Sequence, residues 1–197
     1  VSLADVVILA VKPQILQDVV GEIATAVAKD ALIISIAAGV PMAKIEQVFK
    51  RPVSLVRVMP NMPALVGCGM SAFSLGKHAS QKHRKIAEAI LDSFGESAQV
   101  PERALDLVTA LSGSGPAYFF LFAEKMIEAA YELGMKVDLA KKLVYQTALG
   151  SAQVMSRTQE DPEELIDKVA SKGGGKCCPV AFFKFMMMYT GNRSGNV

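Results

Sequence analysis

Hydrophobic residues cluster at three places early in the chain and recur at helical spacing between them. Val6-Val7-Ile8-Leu9-Ala10-Val11, Leu32-Ile33-Ile34-Ser35-Ile36-Ala37 and residues 53–59 are rich in β-branched side chains and do not alternate with polar ones. That is the pattern of strands covered on both faces, as in a parallel sheet. After Lys12-Pro13, residues Ile15, Leu16, Val19, Val20 and Ile23 fall on one face of a helix. After Ala38-Gly39, a short helix opening at Pro41 carries Ile45, Val48 and Phe49. Strand, helix, strand, helix, strand predicts right-handed crossovers and an open α/β sheet.

Further on, residues 69–75 read as a short strand. Residues 80–94 read as a helix with Ile86, Ile90, Leu91 and Phe94 inward and Gly95 as its stop. Residues 97–100 make a last edge strand. From Glu102 only helical patterns remain: 103–111, then 117–133 closed by Gly134, then one opening with Asp138 as N-cap. Asp161-Pro162-Glu163-Glu164 combines an N-cap, a proline at the first helical position and capping-box acids, and predicts a helix to about Val169. Beyond it, Gly173-Gly174-Gly175, Lys176-Cys177-Cys178-Pro179 and Phe182 to Met188 follow neither period.

One stretch organises this layout. Ala110-Leu111-Ser112-Gly113-Ser114-Gly115-Pro116-Ala117-Tyr118 separates the strand-bearing half from the helical half. Ser112, Gly113 and Gly115 allow close backbone approach, and Pro116 fits the first turn of the following apolar helix. It reads either as a site at a domain junction or as a tight hinge between packed helices.

Composition narrows the classes. With 197 residues, 51% of them hydrophobic, the chain can bury a substantial core as one domain or two small ones. A net charge of +2 without blocks of Lys or Arg does not imply nucleic acid. No uninterrupted apolar run approaches the roughly 18 residues that span a bilayer. No signal peptide is legible, and the start at Val1 leads to the expectation of a segment upstream. Three cysteines, two of them adjacent, form neither a disulfide framework nor a zinc pattern, which leads to the expectation of a reducing, cytoplasmic setting.

Ligands of open parallel sheets bind beyond the carboxyl ends of the strands. Three such ends carry small or polar residues here: Ala10-Val11-Lys12-Pro13, Ala37-Ala38-Gly39 and Met59-Pro60-Asn61-Met62-Pro63. Lys12 could meet a phosphate or carboxylate, and Ala37, Ala38 and Gly39 could admit a flat ring. Each could also be ordinary turn chemistry, but three in register favour a site. The G-x-G-x-x-G fingerprint is absent, and Gly113 and Gly115 follow no strand. His78 and His83 sit among Lys82, Arg84 and Lys85 on a solvated face, so no metal site is expected. Cys68 has no partner base in the pattern, and Met186 to Met188 read as apolar sequence rather than a redox device.

Val7-Ile8-Leu9-Ala10-Val11-Lys12-Pro13-Gln14, Ala37-Ala38-Gly39-Val40, Arg57-Val58-Met59-Pro60-Asn61-Met62-Pro63 and Leu111-Ser112-Gly113-Ser114-Gly115-Pro116-Ala117-Tyr118 together resemble pyrroline-5-carboxylate reductases in order and spacing. The resemblance covers about residues 4–174. It implies an α/β fold: a partial Rossmann-type parallel sheet (1–101), then an all-helical dimerisation domain of the 6-phosphogluconate dehydrogenase C-terminal kind (102–174), then a divergent tail (175–197). The implied activity is NAD(P)H-dependent reduction of 1-pyrroline-5-carboxylate to L-proline by a homodimer or higher homo-oligomer. By the same resemblance Ala10, Val11, Lys12, Pro13, Ala37, Ala38, Gly39 and Asn61 line the cofactor, NADPH or NADH, and Glu102 borders it. The junction residues Ser112, Gly113, Ser114, Gly115 and Pro116 border the substrate. Ser171, Gly173 and Gly174 hold the substrate carboxylate, as a glycine-rich loop forming an anion nest can.

Two departures accompany the resemblance. The family's first strand and glycine fingerprint are expected upstream of Val1. Lys176 stands where the family has a hydroxyl, and the segment after Gly174 reads as a frameshifted or altered tail. The rival readings are a non-catalytic dimerising homologue and a related reductase of another small acid.

Overall fold

A computed structural model describes residues 1–169, which divide into two compact units, Val1–Ala117 and a second beginning at Tyr118. The first unit holds one five-stranded sheet: β1 (Val6–Leu9), β2 (Leu32–Ser35), β3 (Ser54–Met59), β4 (Gly69–Leu75) and β5 (Gly95–Gln99), in that spatial order. Helices α1 (Leu16–Ile23), α2 (Met42–Phe49) and α3 (Gln81–Leu91) complete it.

The two faces of the sheet have separate cores. Val7, Leu9, Ile33 and Leu55 point to one side, where Leu16 and Val20 of α1 and Ile45 and Phe49 of α2 cover them. Ile34, Val56, Val58 and Phe73 point to the other, against Ala87 and Leu91 of α3. Alternate residues of a strand face opposite ways, so the unbroken run Leu32–Ser35 is buried at every position. Each fully buried Leu or Ile contributes about 1.5–3 kcal/mol.

Several expectations are corrected. β1 ends at Leu9, lies at the edge of the sheet, and leaves Ile8 half exposed, because α3 packs on β3 and β5 and does not cover that face of β1. The expected parallel-dominated sheet is present, with one antiparallel pairing: β4 runs antiparallel to β3 while the β1–β2, β2–β3 and β4–β5 pairs are parallel. A parallel return needs a long crossover. The chain between β3 and β4 holds only a 3₁₀ turn, Met62–Val66, so it doubles back. α3 gives way at Asp92 to a 3₁₀ turn, which ends at Gly95 as expected, and Gly95 also opens β5. Its φ is +157°, and a Cβ there would lie 2.0 Å from the Gly69 carbonyl oxygen. Ser80 caps α3, and His83 is part of that cap: its Nδ1 accepts from the Ser80 N–H while Ser80 Oγ accepts from the His83 N–H.

The helix expected at 103–111 is broken into a 3₁₀ turn (Glu102–Ala104), α4 (Leu105–Val108) and a π-turn (Thr109–Gly113). These pieces pack on β3 and β4, within the compact unit that runs to Ala117. α5 (Gly115–Glu132) follows, with Pro116 in its first turn.

In the second unit α5 is followed by α6 (Val137–Thr158) and α7 (Pro162–Val169). Lys136, not Asp138, takes the N-cap position of α6, and Asp138 falls in its first turn. Ala129, Ala140 and Val144 are buried, whereas Phe119, Phe120, Leu121, Tyr131, Leu143 and Tyr145 are exposed. The helical run from Glu102 to Glu132 is long and apolar enough to cross a membrane by length and composition, although Glu124, Lys125 and Glu128 interrupt it.

Candidate functional site at the strand ends

Because β1, β2 and β3 are adjacent and parallel, their carboxyl ends share one edge of the sheet. Ala10, Val11, Lys12 and Pro13 follow β1, Ala37, Ala38 and Gly39 follow β2, and Asn61 follows β3. The Ile36 N–H donates to the Leu9 carbonyl at 3.2 Å, joining the first two loops at their roots. Ala10 and Lys12 are exposed, Val11 is half-buried and Ala37 is buried. Gly39 has φ +72°, a left-handed turn that glycine adopts without penalty, and a Cβ built there would meet nothing within 4 Å.

Glu102 reaches this region from the 3₁₀ turn. Its Oε1 accepts the Met42 N–H at 2.7 Å, at the start of α2, and pairs with Arg57 Nη1 at 3.2 Å. Arg57 Nη2 lies 3.3 Å from Asp106 Oδ1 on α4. Arg57 is 5% exposed, in the middle of an otherwise apolar strand. A buried guanidinium is tolerated only with partners, and the two carboxylates supply them. The network ties β3, α2 and α4 together behind the loop that carries Ala37, Ala38 and Gly39.

Asn61 makes a second tie. Its Nδ2 donates to Ser112 O and Ser112 Oγ, both at 3.3 Å, and its Oδ1 accepts the Met70 N–H at 2.9 Å. The π-turn is closed by the Ser114 N–H donating to Thr109 O at 2.7 Å. π-turns are rare and concentrate at functional sites. This one forms just before Pro116, which has no N–H to continue the helical ladder. Gly113 is packed so closely that a Cβ would lie 2.3 Å from Met59 Cε.

The structure thus gathers Ala10, Val11, Lys12, Pro13, Ala37, Ala38, Gly39 and Asn61 on one sheet edge. It links Glu102 to Arg57, and Ser112 to Asn61. Ser171, Gly173 and Gly174 lie outside the described residues. Sequence reasoning missed the ionic roles of Arg57 and Asp106. The signal was present: a lone charge inside Ser54-Leu55-Val56-Arg57-Val58-Met59 demands a buried partner.

Comparison with known proteins adds the following. The family described as pyrroline-5-carboxylate reductase dimerisation matches residues 102–178, and that described as NADP oxidoreductase, coenzyme F420-dependent, matches residues 1–39. The pyrroline-5-carboxylate reductase of Synechocystis is 39% identical over 185 residues, covering 94% of this chain and 68% of that protein. The Pseudomonas aeruginosa enzyme is 41% identical over 172 residues, covering 87% and 63%. Across such relatives the chain spans from 57% to 68% of their length. The crystal structure of Plasmodium falciparum pyrroline carboxylate reductase with NADP bound is 32% identical, with a TM-score of 0.83 over 95% of this chain and 71% of that one. The Coxiella burnetii pyrroline-5-carboxylate reductase gives 34% and 0.82, over 96% and 69%.

Proposed function

This chain belongs to the pyrroline-5-carboxylate reductase family, and from that premise we propose that it reduces 1-pyrroline-5-carboxylate to L-proline with NADPH or NADH. The observation that carries the reading is the shared edge of β1, β2 and β3, where Lys12, the Ala37-Ala38-Gly39 turn and Asn61 come together. Of these, Lys12 and the Ala37-Ala38-Gly39 turn fit a dinucleotide. The open, left-handed turn at Gly39 leaves backbone room for a flat group, and Lys12 offers an exposed positive charge to a phosphate or carboxylate.

Bound NADPH or NADH would supply a hydride to the carbon of the protonated imine, whose C=N π electrons become the lone pair of the amine nitrogen. A protonated imine is already electrophilic, so the protein has to position and desolvate the reactants more than move protons. Arg57 fixes Glu102, and Glu102 fixes the first N–H of α2, so the loop from Ala37 to Gly39 is held at its far end. Ser112, Gly113, Ser114, Gly115 and Pro116, which the resemblance sets beside the substrate, join the strand-end residues through the hydrogen bonds between Ser112 and Asn61. Ser171, Gly173 and Gly174 are assigned to the substrate carboxylate by the resemblance.

We further propose that the apolar side chains left exposed on α5 and α6 are covered by a second copy of the chain. Phe119, Phe120, Leu121, Leu143 and Tyr145 are all exposed there, and large exposed apolar surfaces mark interaction sites. A cytoplasmic location goes with this reading, and recovery of the chain with membranes on fractionation contradicts it.

The purified chain is expected to oxidise NADPH only in the presence of 1-pyrroline-5-carboxylate and to accumulate L-proline. Loss of NADPH binding would replace the proposal with the non-catalytic dimerising homologue, and NADPH oxidation with another small acid would replace it with the related reductase.

A further inference from the structure

We infer that Asn61 is a positioning residue: its carboxamide latches the π-turned backbone Thr109–Gly113 onto the ends of β3 and β4 and acts on the reaction through that backbone. The inference rests on the reductase reading above. The resemblance assigns Asn61 to the lining of the cofactor, yet both ends of its side-chain amide are engaged within the protein. Nδ2 donates to Ser112 O and Ser112 Oγ, and the oxygen receives the Met70 N–H. The orientation of the amide is fixed by this set of partners. Turned over, it would place its NH₂ against the Met70 N–H and its oxygen against the Ser112 carbonyl.

The latched segment needs such a tie. A π-turn has weaker geometry than an α-turn and persists only where its surroundings over-determine it. Here the N–H of Ser114 closes it on Thr109 O, Thr109 Oγ1 donates to Leu105 O at 2.8 Å, and Gly113 lies against the end of the Met59 side chain. Asn61 is the residue that joins the turn to the loop after β3, where the strand-end residues converge. Loss of the latch would let Ser112, Gly113 and Ser114 drift while leaving the strand-end loops intact.

The two roles for Asn61 predict different kinetics. A residue touching the cofactor changes cofactor affinity, whereas one that holds the turn changes kcat, because small misplacements of reacting groups are costly. Asn61→Asp keeps the acceptor for Met70 but removes both donors and sets a carboxylate against the Ser112 carbonyl. It is expected to lower kcat by about tenfold or more and to leave the NADPH dissociation constant within about twofold of the unsubstituted chain. Amide hydrogen exchange over residues 112–114 is expected to accelerate, and the melting temperature is measured alongside to show that the variant remains folded. Ser112→Ala, which keeps the carbonyl acceptor, is expected to fall between the two. Weakened NADPH binding in proportion to kcat, or unchanged exchange at 112–114, would overturn the inference. If the unsubstituted chain shows no turnover, the reductase reading fails, and the exchange and NADPH-binding comparison still decides the latch.

Discussion

Arg57 and Glu102 show how single side chains set the geometry of the strand-end site. A guanidinium 5% exposed in β3 is stable there because carboxylates 45 and 49 residues further along the chain return to it. Glu102 does two things at one oxygen, accepting from Arg57 and from the Met42 N–H. Substitutions separate them. Glu102→Gln keeps an acceptor for Met42 but loses the ion pair. Glu102→Ala leaves both the Met42 N–H and one side of Arg57 without a partner. Chemical denaturation is expected to give Glu102→Ala a loss of about 2 kcal/mol and Glu102→Gln a smaller one, since an unmatched buried group costs more than a weakened bond. Equal losses would show that the Met42 contact contributes nothing. The role of Arg57 was legible in principle, as a charge inside an apolar strand. The identity of its partners was not, because pairing over such a separation depends on the path of the chain through the fold.

At the scale of elements, the sequence pattern is most informative where one force dominates. β2 is an unbroken apolar run and is buried throughout, and Pro162 with Glu163 and Glu164 opens α7 as expected. The pattern is silent where local preference and connection length compete. Residues 69–75 look like any short strand, but the brief 3₁₀ connection before them forces an antiparallel pairing with β3. Gly95 reads as a helix stop, whereas its place at the head of β5 is imposed by the Gly69 backbone, within 2.0 Å of where a Cβ would sit. Gly95→Ala therefore has to separate β4 from β5. It is expected to cost more than about 2 kcal/mol in thermal or chemical unfolding, a penalty of overpacking added to an unfavourable φ. A stability equal to that of the unsubstituted chain would mean that the two strands part without strain. The π-turn at Thr109–Gly113 was likewise not legible. The glycines and Pro116 marked an irregular stretch, but only its packing against Met59 and Asn61 selects that turn.

Taken whole, the molecule pairs a mixed sheet that presents small residues at one edge with a helical unit rich in exposed apolar side chains. Phe119, Phe120 and Tyr145 lie on that second unit, 69%, 57% and 58% exposed. Sedimentation is expected to find two or more chains together, and Phe120→Glu to shift the population toward single chains by burying a charge in the contact. A monomer at micromolar concentration without any substitution contradicts the proposed self-association. The family resemblance was readable from four short motifs because each sits where the backbone must come close to something: three strand ends and one π-turn. Their convergence on a common edge required the parallel order of β1, β2 and β3.

The central claim is hydride transfer to a cyclic imine, and the most direct measurement follows the hydride itself. With NADPH deuterated at the transferable position, the chain and 1-pyrroline-5-carboxylate are expected to yield L-proline carrying deuterium on the former imine carbon. Proline without deuterium, or oxidation of NADPH with no proline formed, would contradict the account.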